Sequence, residues 1–87
     1  MILLIDDDEQ MLKTISDILQ LHGYESVAAP SGHRGLEIAQ SSPTPLAVAL
    51  VDLRLPDIDG IELVAKLRQI SDATEIVIPI PKAGTWH

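Results

Sequence analysis

Two short aliphatic runs in this chain each end in carboxylates. Ile2–Ile5 leads directly into Asp6, Asp7 and Asp8, and Leu46–Val51 leads into Asp52. Runs this short and this uniformly apolar fit strands buried on both faces, as in a parallel sheet. The fold must therefore hold at least two buried strands whose C-terminal ends present acid. Several carboxylates at one sheet edge suit a divalent cation held beside a reactive aspartate.

The segments between these runs have helical periodicity. From Glu9 to His22 the apolar residues are Met11, Leu12, Ile15, Ile18 and Leu19, and spacings of three and four make one helical face. Gly23 stands where a helix C′ residue with positive φ is wanted. Tyr24–Ala28 reads as a second strand, ended by Pro30. Ser31 is placed to cap a helix running to about Gln40, with Leu36, Ile38 and Ala39 on its apolar side, although Gly32 and Gly35 oppose helix. Residues 41–45, SSPTP, form a loop.

After the strand Leu46–Val51, Asp59 is placed to cap a third helix, with Glu62 completing a capping box. Ile61, Leu63, Val64, Leu67 and Ile70 are its expected buried stripe. Ser71–Glu75 connects to a fourth strand, Ile76–Ile80, in which Pro79 removes one ladder donor. Residues 81–87 have no periodicity. The resulting order, βαβαβαβ, calls for an α/β parallel sheet with helices on both faces. Ligands in such sheets bind beyond the carboxyl ends of the strands, where Asp6, Asp7 and Asp52 lie.

Composition narrows the function classes. Eighty-seven residues make one small domain with a core of Leu, Ile, Val and Ala, since Phe is absent. A net charge of −7 argues against a nucleic-acid footprint and favours cationic ligands such as Mg²⁺. Without cysteine there is neither a disulfide framework nor a cysteine-based zinc site. No run approaches the roughly 20 apolar residues of a membrane span. The first residues lack the basic segment of a secretory leader, so a cytoplasmic location is expected. His22, His33 and His87 have no metal-ligand spacing and read as surface residues.

The motifs at these strand ends carry a family resemblance. Asp6-Asp7-Asp8 after an aliphatic strand, Val51-Asp52, and the stretch Leu55-Pro56-Asp57-Ile58-Asp59-Gly60 resemble the receiver domains of two-component response regulators. The resemblance runs from about residue 2 to residue 80. It implies the flavodoxin-like (CheY-like) sheet with strand order 2-1-3-4-5, here shortened to about βαβαβαβ. It implies that Asp52 is the phosphoacceptor. It also implies that Asp7, Asp52 and the Arg54 backbone carbonyl bind Mg²⁺, with Asp6 acting through water. Pro56 and Gly60 would shape the loop after Asp52. The implied partner is a sensor histidine kinase or phosphotransfer protein, and no turnover enzyme is implied. From the residues themselves, Asp8 reads as a cap or surface charge, and Asp57 and Asp59 as turn and cap residues.

The chain also departs from the family pattern. The family's Ser or Thr at the end of strand four falls on Ile80, and the Lys after strand five has no counterpart. Lys82 and Thr85 are nearby residues of the right chemistry in the unpatterned segment. Residues 1–80 would then be a partial receiver, truncated C-terminally, and 81–87 a tail. An uncovered fourth strand would be an apolar edge open to pairing, so a homodimer or swapped oligomer is expected. The alternative is a degenerate receiver that docks or dimerises without phosphorylation. A phosphatase of the haloacid dehalogenase type, using Asp6 and Asp8, would need more chain than this one offers.

Overall fold

The computed structural model describes residues 1–78. Its elements are β1 (Ile2–Ile5), α1 (Glu9–Leu21), β2 (Ser26–Ala29), α2 (Gly32–Ser41), β3 (Val48–Val51), α3 (Gly60–Ile70) and β4 (Glu75–Val77). All strand pairings are parallel, in the order β2-β1-β3-β4. The helices cover both faces, so the expected α/β architecture is present. Two strands are shorter than their apolar runs suggest. β2 begins at Ser26 rather than Tyr24, and β3 begins at Val48 rather than Leu46. Tyr24 is spent on ending α1, where its amide donates to the Leu19 carbonyl at 2.9 Å. Leu46 is buried, but its carbonyl serves Thr74 rather than the sheet ladder. β4 is described over Glu75–Val77, beginning one residue before the expected Ile76, and Pro79 and Ile80 lie outside the described residues.

Strand alternation sorts the core into two layers. Leu3, Ile5, Ala49 and Val51 point to the face covered by α2 and α3, where they join Leu36, Leu63 and Leu67 in one cluster. Leu4 and Leu50 point to the other face, beside Leu12 and Ile15 of α1. α1 packs chiefly over β2 and β1. Only Leu12 of its expected apolar face is buried, while Met11 and Ile18 are exposed. One helix placed toward one side of a sheet can bury only a narrow stripe. The flank carrying Met11 and Ile18 has no described element against it.

The helix ends follow local chemistry. The Asp8 carboxylate accepts the Gln10 and Met11 amides, each at 3.1 Å, and so caps α1. Ser31 accepts the Arg34 amide, and Asp59 accepts the Ile61 amide. Gly23 has φ +85°, and its amide reaches the Gln20 carbonyl in a Schellman closure. Two expectations fail in α3. Glu62 does not complete a capping box but pairs with Lys66 at 3.3 Å. Ile61 is 77% exposed and forms no part of the buried stripe. At 3.6 residues per turn Ile61 sits about 200° from Leu63, on the far side of the helix.

The opposition of Gly35 to helix is resolved by close packing. A Cβ on Gly35 would fall 2.8 Å from Ile5 Cγ1, so the missing side chain lets α2 settle on the sheet. Gly60 opens α3 directly against the Leu53 backbone, where a Cβ would lie 2.7 Å from the Leu53 Cα. That contact seats the loop between β3 and α3, which carries the acidic motif.

Candidate phosphoacceptor site

The parallel register brings the acids together. Ile5 pairs with Val51, so the residues that follow, Asp6 and Asp52, leave adjacent strands side by side. Their backbones are still tied to the sheet: the Asp52 amide donates to the Ile5 carbonyl at 2.9 Å, and the Asp6 amide to the Ala29 carbonyl at 3.2 Å. Oxygen atoms of Asp6, Asp7 and Asp52 all lie within 4.8 Å of one another. Asp6 and Asp52 are half-buried and Asp7 is exposed, so the cluster opens to solvent on one side.

Each half-buried carboxylate is oriented by a backbone amide. Asp6 accepts the Asp8 amide at 3.0 Å, and Asp52 accepts the Arg54 amide at 2.9 Å. Burial pushes the Asp6 carboxyl above the usual range, and the charges of Asp52 and Asp7 push it further, while the Asp8 amide opposes them. Negative charge is thus gathered here, and no ion pair among the described residues offsets it. Hard oxygen donors on one side and open positions on the other are what Mg²⁺ requires, because it keeps waters and takes phosphate oxygens. The residues present fit such an ion. Arg54, which donates its amide to Asp52, is exposed, and its carbonyl accepts no hydrogen bond from a described residue.

Behind the acids is a cavity of about 40 Å³ lined by Leu4, Leu12, Ile15 and Leu50 as well as Asp6 and Asp52. The loop in front is fixed by two residues that pattern reading missed, Leu55 and Ile58, both buried in the α2/α3 core. An irregular loop has no period to flag them; only their aliphatic character in an otherwise polar stretch hints at anchoring. Asp57 also does more than turn the chain. Its two oxygens accept the Gly32 and His33 amides at 3.1 and 2.9 Å. Those amides, led by that of His33, hold its carboxyl below the usual range. His22 and His33 are exposed, as expected, but His33 Nδ1 lies 2.9 Å from Asp57. Ile80, Lys82, Thr85 and His87 lie outside the described residues.

Parallel strands that deliver an acidic triad to one edge, with a capped helix beyond each, define an α/β module with an acidic cluster able to hold a metal ion. The family model of the response regulator receiver domain matches residues 2–80, and the chain belongs to that family, the receiver modules of two-component signalling. The photosynthetic apparatus regulatory protein RegA of Cereibacter sphaeroides is 39% identical over 77 residues, 88% of this chain and 41% of its own length. A crystallised response regulator from Burkholderia pseudomallei, with a phosphorylated aspartic acid and a calcium ion, is 27% identical at a TM-score of 0.81. The match covers 88% of this chain and 44% of that one. The Thermotoga maritima regulator TrrA, in complex with Mg²⁺ and beryllofluoride, is 25% identical at a TM-score of 0.76, over 88% of this chain and 65% of that one. The chain thus spans less than half the length of the curated relative RegA.

Proposed function

We propose that Asp52 accepts a phosphoryl group from the phosphohistidine of a sensor kinase or phosphotransfer protein, with Mg²⁺ at the acidic cluster. The observation that carries this reading is the convergence of Asp6, Asp7 and Asp52 within 4.8 Å at the ends of adjacent strands. One Asp52 carboxylate oxygen attacks phosphorus, a P–O bond forms as the N–P bond breaks, and the departing imidazole nitrogen keeps the electron pair. The hydrogen bond from Arg54 orients the attacking group. Asp7 and Asp52 would hold the ion directly, with the Arg54 carbonyl, and Asp6 through water. A bound divalent ion supplies neutralisation of the charge on the phosphoryl oxygens during transfer. No enzymatic turnover follows from this arrangement, since the product stays on the chain. Residues 1–80 form the receiver part in this reading and 81–87 a tail. The module acts in the cytoplasm without binding nucleic acid or membrane itself; no described helix is long and apolar enough to cross a membrane.

The test is a ¹H–¹⁵N correlation spectrum, recorded alone and then with Mg²⁺ and beryllofluoride, which mimics an acyl phosphate. Shifts centred on Asp6, Asp7 and Asp52 are expected. A dispersed spectrum indifferent to both additions would overturn the reading.

Self-association belongs to the same proposal. On the α1 face Val77 is 44% exposed and Leu50 half-buried, and the outer edge of β4 pairs with no described strand. An apolar face beside an unpaired edge favours a second copy. Sedimentation equilibrium at micromolar concentration is expected to show a dimer or larger. A sharp monomer there counts against it.

A further inference from the structure

The loop between β3 and α3 is tied to the start of α2 by one carboxylate. Asp57 Oδ1 accepts the Gly32 amide at 3.1 Å and Oδ2 accepts the His33 amide at 2.9 Å, across 25 and 24 residues of chain. The His33 ring adds a third contact, Nδ1 to Oδ2 at 2.9 Å. Ser31, the helix's own cap, takes only the Arg34 amide. The first amides of α2 are therefore satisfied from the loop and not from the preceding chain. The neighbouring residues reinforce the tie. Ile58 is buried against Gly32, which has no side chain to keep it away, and Leu55 is buried in the same core.

This arrangement bears on the acidic cluster. Asp52 is fixed at one end of the segment by the sheet, and Leu55, Asp57 and Ile58 fix the other end. Between them Arg54 is exposed, and its one hydrogen bond among the described residues is from its amide to Asp52. The direction of its carbonyl is set by where the two ends are held. We propose that Asp57 is a positioning residue for the cation site: by clasping the loop to α2 it fixes where the Arg54 carbonyl is presented to Asp6, Asp7 and Asp52. The inference rests on the Mg²⁺ reading above and assigns Asp57 no contact with the ion. Asp59 supplies the comparison. It also caps a helix through a carboxylate, but its partner is the Ile61 amide two residues on, so among the described residues it ties the loop to no other element.

The test compares wild type with Asp57→Ala, Asp57→Asn and Asp59→Ala, all ¹⁵N-labelled. Without metal, hydrogen exchange of the Gly32 and His33 amides and relaxation of residues 53–57 report the clasp. Mg²⁺ titration then reports the site. Asp57→Ala is expected to free the loop amides and to weaken Mg²⁺ binding by about tenfold, the usual size for an outer-shell partner. Asp59→Ala, with a comparable loss of melting temperature, is expected to leave both within about twofold. Asp57→Asn keeps an acceptor oxygen and is expected to fall between. Equal weakening in the two alanine variants, or an unchanged Mg²⁺ Kd in Asp57→Ala, overturns the proposal. If wild type ignores Mg²⁺, the cation reading fails first, and loop amides in Asp57→Ala as protected as in wild type then overturn the clasp itself.

Discussion

Asp52→Asn is expected to abolish phosphoryl uptake while leaving the fold intact. The amide is nearly the same shape, and its oxygen can still accept the Arg54 amide that orients the side chain at 2.9 Å. What it lacks is an anionic oxygen to attack phosphorus. Loss of the nucleophile should lower the rate of incorporation from a small-molecule phosphodonor by at least about two orders of magnitude. Removing one of three crowded charges should also weaken Mg²⁺ binding and relieve the repulsion felt by Asp6. The variant should therefore melt no lower than wild type in the absence of metal. Intact-mass spectrometry after exposure to the donor, with and without Mg²⁺, is the measurement. Incorporation that persists unchanged in Asp52→Asn would mean that another group is the acceptor.

Leu63→Ala is expected to cost about 2–5 kcal/mol, and Ile61→Ala no more than about 0.5 kcal/mol. The two residues are both aliphatic and lie two positions apart on α3. Leu63 is fully buried in the cluster with Leu3, Ile5, Leu36 and Val51, whereas Ile61 is 77% exposed. Truncating Leu63 removes packed methyl groups and leaves a cavity that the surrounding strands cannot close. Small domains have a total stability of only about 5–15 kcal/mol, so this one change could take much of it. Loss at Leu63 should also reach the site, because Leu55 and Ile58 of the acidic loop share its cluster. Urea denaturation of the two variants beside wild type measures the contrast. Equal losses at both positions would mean that α3 is rotated about its axis so that Ile61 also faces the core.

Much of this was legible in the order of residues because the physics involved is local. Aliphatic runs too short for helices identify β1 and β3, and the acids directly after them are placed at the sheet's carboxyl edge by chain continuity alone. Asp8, Ser31 and Asp59 could be read as caps because each bonds an amide two or three residues ahead. Gly23 could be read as a helix end for the same reason. The expectations that failed also have physical causes. Ile61 stays out of the buried stripe because its angle around the helix turns it away from Leu63. Periodicity marks the apolar face of α1, but how much of that face is buried depends on where the helix lies over the sheet, and this leaves Met11 and Ile18 exposed.

The order of residues names those able to carry the chemistry: two acid-tipped strands, and a loop after Asp52 whose wording marks the receiver family. Tertiary structure alone decided how close they come and what holds them there. Convergence of Asp6, Asp7 and Asp52 depends on the register that sets Ile5 beside Val51, a pairing across more than forty residues that no local preference encodes. The seating of Leu55 and Ile58 depends on the shape of a core assembled from every element on that face. The carboxylate of Asp57 meets its amides only after α2 has packed against the loop. A hydrogen bond between groups 25 residues apart leaves no periodic mark in the chain, because its partners are chosen by packing and not by spacing.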